Sequence, residues 1–252
     1  MRIFLALLLT VGGCFGQAFT LNDPVMTGQP SSAAVWSPTN NPDGLNPVAW
    51  YNANDVAAGV LSLWPDRTTN HYNLSATGAS RPTVLASANG TNNVVAYFGA
   101  QRLRAAVAVT PLPYEVVIVL SITNTTAAQV IVDSTNGSYS QLYVESGSSP
   151  LWHLDSPTDI TLPIKVVSNS FVCMDYIMSD PAHWFWTNNT FISISGTIGA
   201  NGLNGLCLGG QLVTGRPMTG AIAECLVFAQ TNSPTARSNL YSKWLKPIWG
   251  LP

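Results

Sequence analysis

The stretch 171-FVCMDYIMSDPAHWFWTNNTFISIS-195 holds three short runs, FVCMDYIMS, WFWT and FISIS, rich in β-branched and aromatic residues. Such residues fit a pleated, half-buried surface, while the Asp, Pro and Asn between them favour turns. Helical spacing of apolar residues is missing, so three strands are expected. Trp184 and Trp186 stand two apart, directly before Thr187, Asn188 and Asn189. Flat rings beside amides and hydroxyls suit stacking on a sugar, but tryptophan also dominates ordinary cores.

The same texture extends outward in both directions. The runs 93-NVVAYFG-99, 114-YEVVIVLSI-122, 128-AQVIVD-133, 140-SQLYVES-146 and 164-IKVVS-168 precede it, and 205-GLCLGG-210 and 221-AIAECLVFA-229 follow. Many short strands with regular turn signals and almost no helical period predict an all-β, antiparallel sandwich or barrel. One segment departs from this. Ser233 supplies an N-cap and Pro234 the first helical position, and the stripe Ala236, Leu240, Trp244 predicts one short C-terminal helix docked on the sandwich and stopped by Pro247.

The N-terminus reads differently. MRIFLALLLTVGGCFG, with Arg2 before an apolar run and small residues at its end, is expected to be a signal peptide cleaved after Gly16, and so to direct secretion. Val11-Gly12-Gly13-Cys14 is a weaker, alternative signal for lipid anchoring at Cys14. Residues 17–47, rich in Pro, Asn, Ser and Gly, are expected to form an extended leader before a domain over 48–252. Past the signal, no apolar run approaches the roughly 20 residues that a membrane-spanning helix needs.

Charge is scarce: 10 Lys plus Arg against 12 Asp plus Glu give a net charge of −2. That excludes a basic nucleic-acid footprint. The polar surface must come from Asn, Ser, Thr and Gln, which suits an extracellular, hydrogen-bonding face. N-x-S/T sequons at Asn73, Asn89, Asn124, Asn136 and Asn188 matter only in a eukaryotic host. Cys173, Cys207 and Cys225 each lie in an apolar run; export permits one disulfide, but buried small hydrophobes are the simpler expectation. Their spacing fits no zinc site.

Several segments, in order, resemble the concanavalin A-like, laminin-G-like jelly roll of secreted bacterial proteins. They are 49-AWYNANDV-56, 62-SLWPDRTTNHYNLSA-76, 81-RPTVL-85, 93-NVVAYFGAQRLR-104, 207-CLGG-210 and 217-PMTGAIAECLVFAQTNSPTARSNLYSKWLKPIWG-250. Thr68-Thr69 stand where Ser-Gly is usual in that family, and His71 where Gly is usual. The likeness covers about residues 45 to 252 and implies a two-sheet antiparallel jelly-roll sandwich. It also implies a hairpin at 184–194 with Asn188-Asn189 in place of Asn-Gly, a turn asparagine can make because it tolerates positive φ. Alternation then puts Trp184 and Trp186 on one face of the strand and Phe185 on the other, both faces being apolar.

Catalytic patterns are sparse. A retaining glycosidase of this superfamily carries E-x-D-x-x-E on one strand, and Glu115, Glu145 and Glu224 belong to no such pattern. Lyases on jelly rolls use a His/Tyr pair with a neutralising Arg or Gln; of His71, His153 and His183, only His153 has a nearby orienting carboxylate, Asp155. The resemblance allows Ca2+, with Asp55 and Asp66 as weak candidate ligands, although a turn aspartate more often caps its own backbone. Candidate ligand-binding residues are Trp152, His153, Tyr176, Trp184 and Trp186. Trp50, Trp64, Trp244 and Trp249 read as packing. A non-catalytic domain that binds a glycan or an extracellular surface polymer is expected first. A self-associating structural module, of a cell surface or virion, and a polysaccharide-active enzyme are the alternatives.

Overall fold

Strand β8 (Tyr114–Ile122) is buried at all nine positions, a continuous buried run, apolar but for Glu115 and Ser121, instead of an alternating one. A strand reads this way when both of its faces are covered, and the architecture supplies both covers. A computed structural model describes residues 36–135, 140–179, 182–196, 199, 201–211 and 215–252. The expected signal peptide, Cys14, most of the leader and the Asn136 sequon lie outside the described residues.

The chain forms two antiparallel sheets. Sheet 1 runs β15 (Thr190–Ser195), β14 (Ala182–Thr187), β13 (Val172–Met178), β8, β17 (Gly220–Phe228), β6 (Asn92–Tyr97), β5 (Thr83–Asn89), β2 (Gly59–Val60), and β1 (Ala49–Asn52) also pairs with β17. Sheet 2 runs β12 (Asp159–Lys165), β11 (Leu151–Asp155), β10 (Gln141–Val144), β9 (Gln129–Asp133), β16 (Leu206–Leu208), β7 (Leu103–Ala105), β4 (Leu74–Ser75), β3 (Leu63–Trp64). This is the expected all-β sandwich. The expected runs recur as strands, but the 164–168 run is only the end of β12, and β11 lies outside the expected runs.

Register decides which side chains meet between the sheets. The Tyr114 hydroxyl bonds Ser140 at the start of β10, so Tyr114, Val116, Ile118 and Leu120 face sheet 2. Their cross-strand neighbours Met178, Tyr176 and Met174 share that face, as does Phe185, the partner of Tyr176. Leu142, Val144, Trp152 and Leu154 meet them from the other side within one buried cluster.

The other face of sheet 1 lies under the C-terminal helix. Helix α1 (Pro234–Leu240) begins with the Ser233 hydroxyl accepting from the Ala236 N–H, as expected. It continues through a π-helical turn (Tyr241–Leu245) into α2 (Lys246–Trp249), and Gly250, at φ 63°, ends it. Pro247 therefore does not stop the helix. It falls in the first turn of α2, where a missing N–H costs little, and the wider π turn precedes it. Ala236, Leu240 and Leu245 are buried, Trp244 partly so. Part of the leader is also tied down: Asp43 accepts from Trp36 Nε1 and from Asn239 Nδ2 of the helix.

Candidate functional site

The β14–β15 hairpin has the two-residue turn its sequence implied. Asn188 and Asn189 take φ 45° and 64°, and Thr187 pairs with Thr190 across them. Asn188 adds a second role, because its Oδ1 accepts from the Cys173 N–H on β13 and pins the turn to the sheet. Trp184 pairs across to Ile177 and Trp186 to Asp175, residues of the face opposite Tyr176. Both tryptophans thus point away from the inter-sheet core, into which Phe185 is fully buried.

The two rings then fare differently. Trp184 is 37% exposed. Trp186 is partly covered, with the Arg237 guanidinium 4.3 Å above its ring and Phe191, its cross-strand partner, 5.1 Å away. Phe191 itself is 53% exposed. Trp184, Trp186 and Phe191 form an aromatic strip on the outer face of an edge hairpin, with Asn189 near Trp186.

A rigid charged layer holds this strip against the helix. Arg237 donates from Nε and Nη2 to the two oxygens of buried Glu115 at 3.1 and 3.0 Å, and the Asn232 N–H adds a third bond. Asp175 stands 3.7 Å from Arg237 and, through burial and then the Glu115 charge, has its carboxyl held well above the ordinary range. Further along β17, buried Glu224 accepts from the indole N–H groups of Trp50, Trp244 and Trp249 at 2.6, 2.9 and 2.6 Å. Burial raises the Glu224 carboxyl, and these three donors oppose the rise.

The hairpin turn also borders a cleft of about 690 Å³ at one end of the sandwich. Thr187 and Asn188 line it together with Asn169, Ser170, Phe171 and Lys165. Its size is that of small-molecule sites, and amides and hydroxyls beside an aromatic ring match the needs of a sugar.

The remaining candidates are placed less favourably for stacking. Tyr176, 1% exposed, is a core residue, and Trp152, 2% exposed, is a core residue that also borders the cleft. Both belong to the inner faces of their sheets, which neither residue type could signal by itself. His153 is 4% exposed on the outer face of sheet 2. Its orienting carboxylate is Asp159, 3.1 Å from Nδ1 on β12, in place of the expected Asp155; Glu145 lies 3.3 Å from Nε2. Tyr143 stacks on the imidazole at 4.6 Å, and Arg216 lies 5.6 Å from the Tyr143 ring. Two further buried polar atoms gather here, Gln141 Nε2 and Asp155 Oδ1, with no hydrogen-bond partner among the described residues. Burial and then Asp159 push the Asp155 carboxyl up, with Arg216 opposing.

The two candidate metal ligands are engaged by protein groups. Asp66 accepts from the backbone N–H groups of Trp50, Thr68 and Tyr72 and from the Thr68 hydroxyl, the turn-capping role of such a residue. Asp55 pairs with Arg67 through both oxygens at 2.5 and 2.6 Å. Among the described residues no group of three His, Cys, Asp or Glu is arranged to hold a metal ion. Cys173, Cys207 and Cys225 are buried, free thiols. No helix among the described residues is long and apolar enough to cross a membrane.

No family model matches the sequence, and no curated protein matches it. Solved structures do. An arabinofuranosidase complexed with arabinofuranosyl-alpha-1,2-xylobiose aligns at TM-score 0.58 and 10% identity, over 73% of this chain and 50% of that one. Domain 4 of AbnA, a GH43 extracellular arabinanase from Geobacillus stearothermophilus, in complex with arabinotriose, aligns at 0.54 and 14%, over 78% and 98%. The botulinum neurotoxin serotype D ligand binding domain, in complex with N-acetylneuraminic acid, aligns at 0.57 and 13%, over 82% and 54%. The chain spans about half the length of the arabinofuranosidase and the toxin domain, and nearly all of the AbnA domain. At these identities the likeness shows the fold alone, an antiparallel β-sandwich that these chains share.

Proposed function

We propose that the chain is an exported, non-catalytic jelly-roll domain of laminin-G-like type that binds a glycan or surface polysaccharide. Trp184 is its exposed stacking ring. The observation that carries the reading is the orientation of the hairpin: Trp184, with Trp186 and Phe191 beside it, turns its ring away from the inter-sheet core. The amide- and hydroxyl-lined cleft under the same turn offers partners for sugar hydroxyls. The AbnA domain in complex with arabinotriose, similar over nearly its whole length, adds support.

Retention of the protein on a panel of soluble and insoluble polysaccharides tests this. Wild type should be retained on at least one, and the folded Trp184→Ala, Phe191→Ala double variant should not. Failure of every glycan to retain the protein, or equal retention of the variant, overturns the proposal.

A second reading, a polysaccharide-active enzyme, draws on His153 and Tyr143 on sheet 2 and on Arg216 in the segment before β17. A base, a proton donor and a neutralising cation are what proton abstraction beside a sugar carboxylate requires. Release of unsaturated sugars from a uronic-acid polymer, abolished by Tyr143→Phe, would favour it; no release would remove it.

A further inference from the structure

On sheet 2 a separate recess of about 340 Å³ opens between β4 and β7. Its wall is built by register. Arg102 and Arg104 stand two apart and so project to the same side, and Ser75 is the cross-strand partner of Arg104. Leu103 between them is fully buried, which turns the arginines to the outer face of the sheet. The connection after β4 closes the recess with Thr77 and Ser80, held by the Arg102 N–H donating to the Ser80 carbonyl.

Two of the ten cations of the chain thus share one recess with three hydroxyls, and none of the described residues that line it carries a carboxylate. A third, Arg81, follows Ser80 directly and is exposed. Arg102 spends one N–H on the Gln211 carbonyl at 2.8 Å, which steadies its guanidinium and leaves its other donors for a ligand. Fixed guanidiniums pair with planar or tetrahedral oxyanions in charge-assisted bonds. Among the described residues that line it none is aromatic, so no ring is offered for stacking on a sugar. Recognition must therefore rest on charge and hydroxyls.

We propose that this recess binds an oxyanion, a sulfate ester or a carboxylate, carried on an acidic polysaccharide. Its space exceeds what a lone tetrahedral ion fills, and the hydroxyls of Ser75, Thr77 and Ser80 meet the sugar that bears the group. The site is independent of the Trp184 hairpin, which lies on the other sheet.

Calorimetric titration with a heparin-derived oligosaccharide, a polygalacturonate oligomer and a neutral xylan oligomer tests the assignment. One of the two acidic probes should bind, and the neutral one should leave Arg104→Gln and wild type alike. Affinity for the acidic probe should fall about tenfold or more in Arg104→Gln and fall less in Arg104→Lys. The exposed Thr77→Val variant, which disturbs no cap bond, should also weaken binding while its urea midpoint stays at the wild-type value. Trp184→Ala should bind the acidic probe as wild type does, so failure here and failure of the hairpin reading are told apart. Absence of binding to both acidic probes overturns the proposal, as does an equal loss in Lys243→Gln, which would mean diffuse charge attraction. Inorganic sulfate or phosphate binding as tightly as the oligosaccharide would make this a free-ion site and overturn the polysaccharide assignment.

Discussion

Arg237 lies over the Trp186 ring, 4.3 Å from its centroid, while the same guanidinium grips both oxygens of buried Glu115. One helix side chain thereby joins β8 and β14 and sets the height of the aromatic strip. Removing it should leave Glu115 buried with its charge partner gone, and such a loss costs about 3–5 kcal/mol. Arg237→Ala is therefore expected to lower the urea midpoint steeply. A Glu115→Leu, Arg237→Met double variant should recover much of that loss, since neither charge is then stranded. Equal midpoints for Arg237→Ala and wild type would show that the pair contributes little.

Asp175 gives the fold a pH dependence of predictable sign. Its carboxyl is raised by burial first and by Glu115 next, with Arg237 pulling only partly the other way. A raised folded-state value means that the native protein binds this proton more tightly than the unfolded chain does. The stabilisation is complete below the ordinary value of 3.8 and is lost as pH climbs from there through the raised one. Asp175→Asn keeps the neutral shape, so it should remove this decline from stability measured by urea unfolding across pH. An unchanged slope in the variant would place the dependence elsewhere.

Glu224 receives three indole N–H bonds in a site without water-accessible surface. Glu224→Gln replaces one accepting oxygen by an amide that itself donates, so at least one indole N–H loses its partner. Hydrogen bonds to a charged group contribute about 1.5–3 kcal/mol each, and the expected cost is roughly 2–4 kcal/mol. Burial of the carboxylate opposes this in part, because the neutral amide is cheaper to desolvate. Tryptophan fluorescence should shift as Trp50, Trp244 and Trp249 lose a common anchor. A variant with wild-type emission and midpoint would show that the three rings pack without it.

Much of this layout was legible in the residues. Turn residues between β-branched runs marked most of the long strands, and Ser233-Pro234 marked the start of the helix. Phe191 was within reach too: a two-residue Asn-Asn turn fixes Thr187 against Thr190, hence Trp186 against Phe191. The side on which Trp184 projects was not legible, because Phe185 and the tryptophans are alike apolar and alternation is blind to direction. Long-range partners settle it: Glu115 and Arg237 are 122 residues apart in sequence. The same distance hides the recess of Arg102 and Arg104, whose hydroxyls come from another strand and its loop. Asp159 was not legible as the partner of His153, because it is the β11–β12 turn that folds it back beside the imidazole. Trp152 and His153, adjacent in sequence, belong to opposite faces.

The turn supplies an asymmetric pair of substitutions. Asn188 and Asn189 both hold positive φ, and the Asn188 side chain also bonds β13, accepting from the Cys173 N–H. Asn189→Gly should fall within about 1 kcal/mol of wild type, since glycine reaches this conformation without strain. Asn189→Ala should cost about 1–2 kcal/mol, the penalty for a Cβ in the left-handed region. Asn188→Gly relaxes its backbone equally but gives up the cross-strand bond, so it should be the less stable of the two glycine variants. Thermal unfolding of the three proteins checks the order, and equal melting temperatures for the two glycine variants would reject it.

Trp152 and Trp184 should separate stability from binding. Trp152 lies in the inter-sheet cluster, where truncating a large aromatic costs about 3–5 kcal/mol. Trp184 presents over a third of its surface to solvent, so Trp184→Ala should cost less than half as much. The conservative Trp152→Phe variant, folded and slightly destabilised, should keep full retention on whichever polysaccharide retains wild type. Trp184→Ala should keep its fold and lose the retention. If instead Trp152→Phe loses binding while Trp184→Ala keeps it, the ligand lies at the cleft end beside Trp152, which that ring helps to line, and the hairpin strip is ordinary surface.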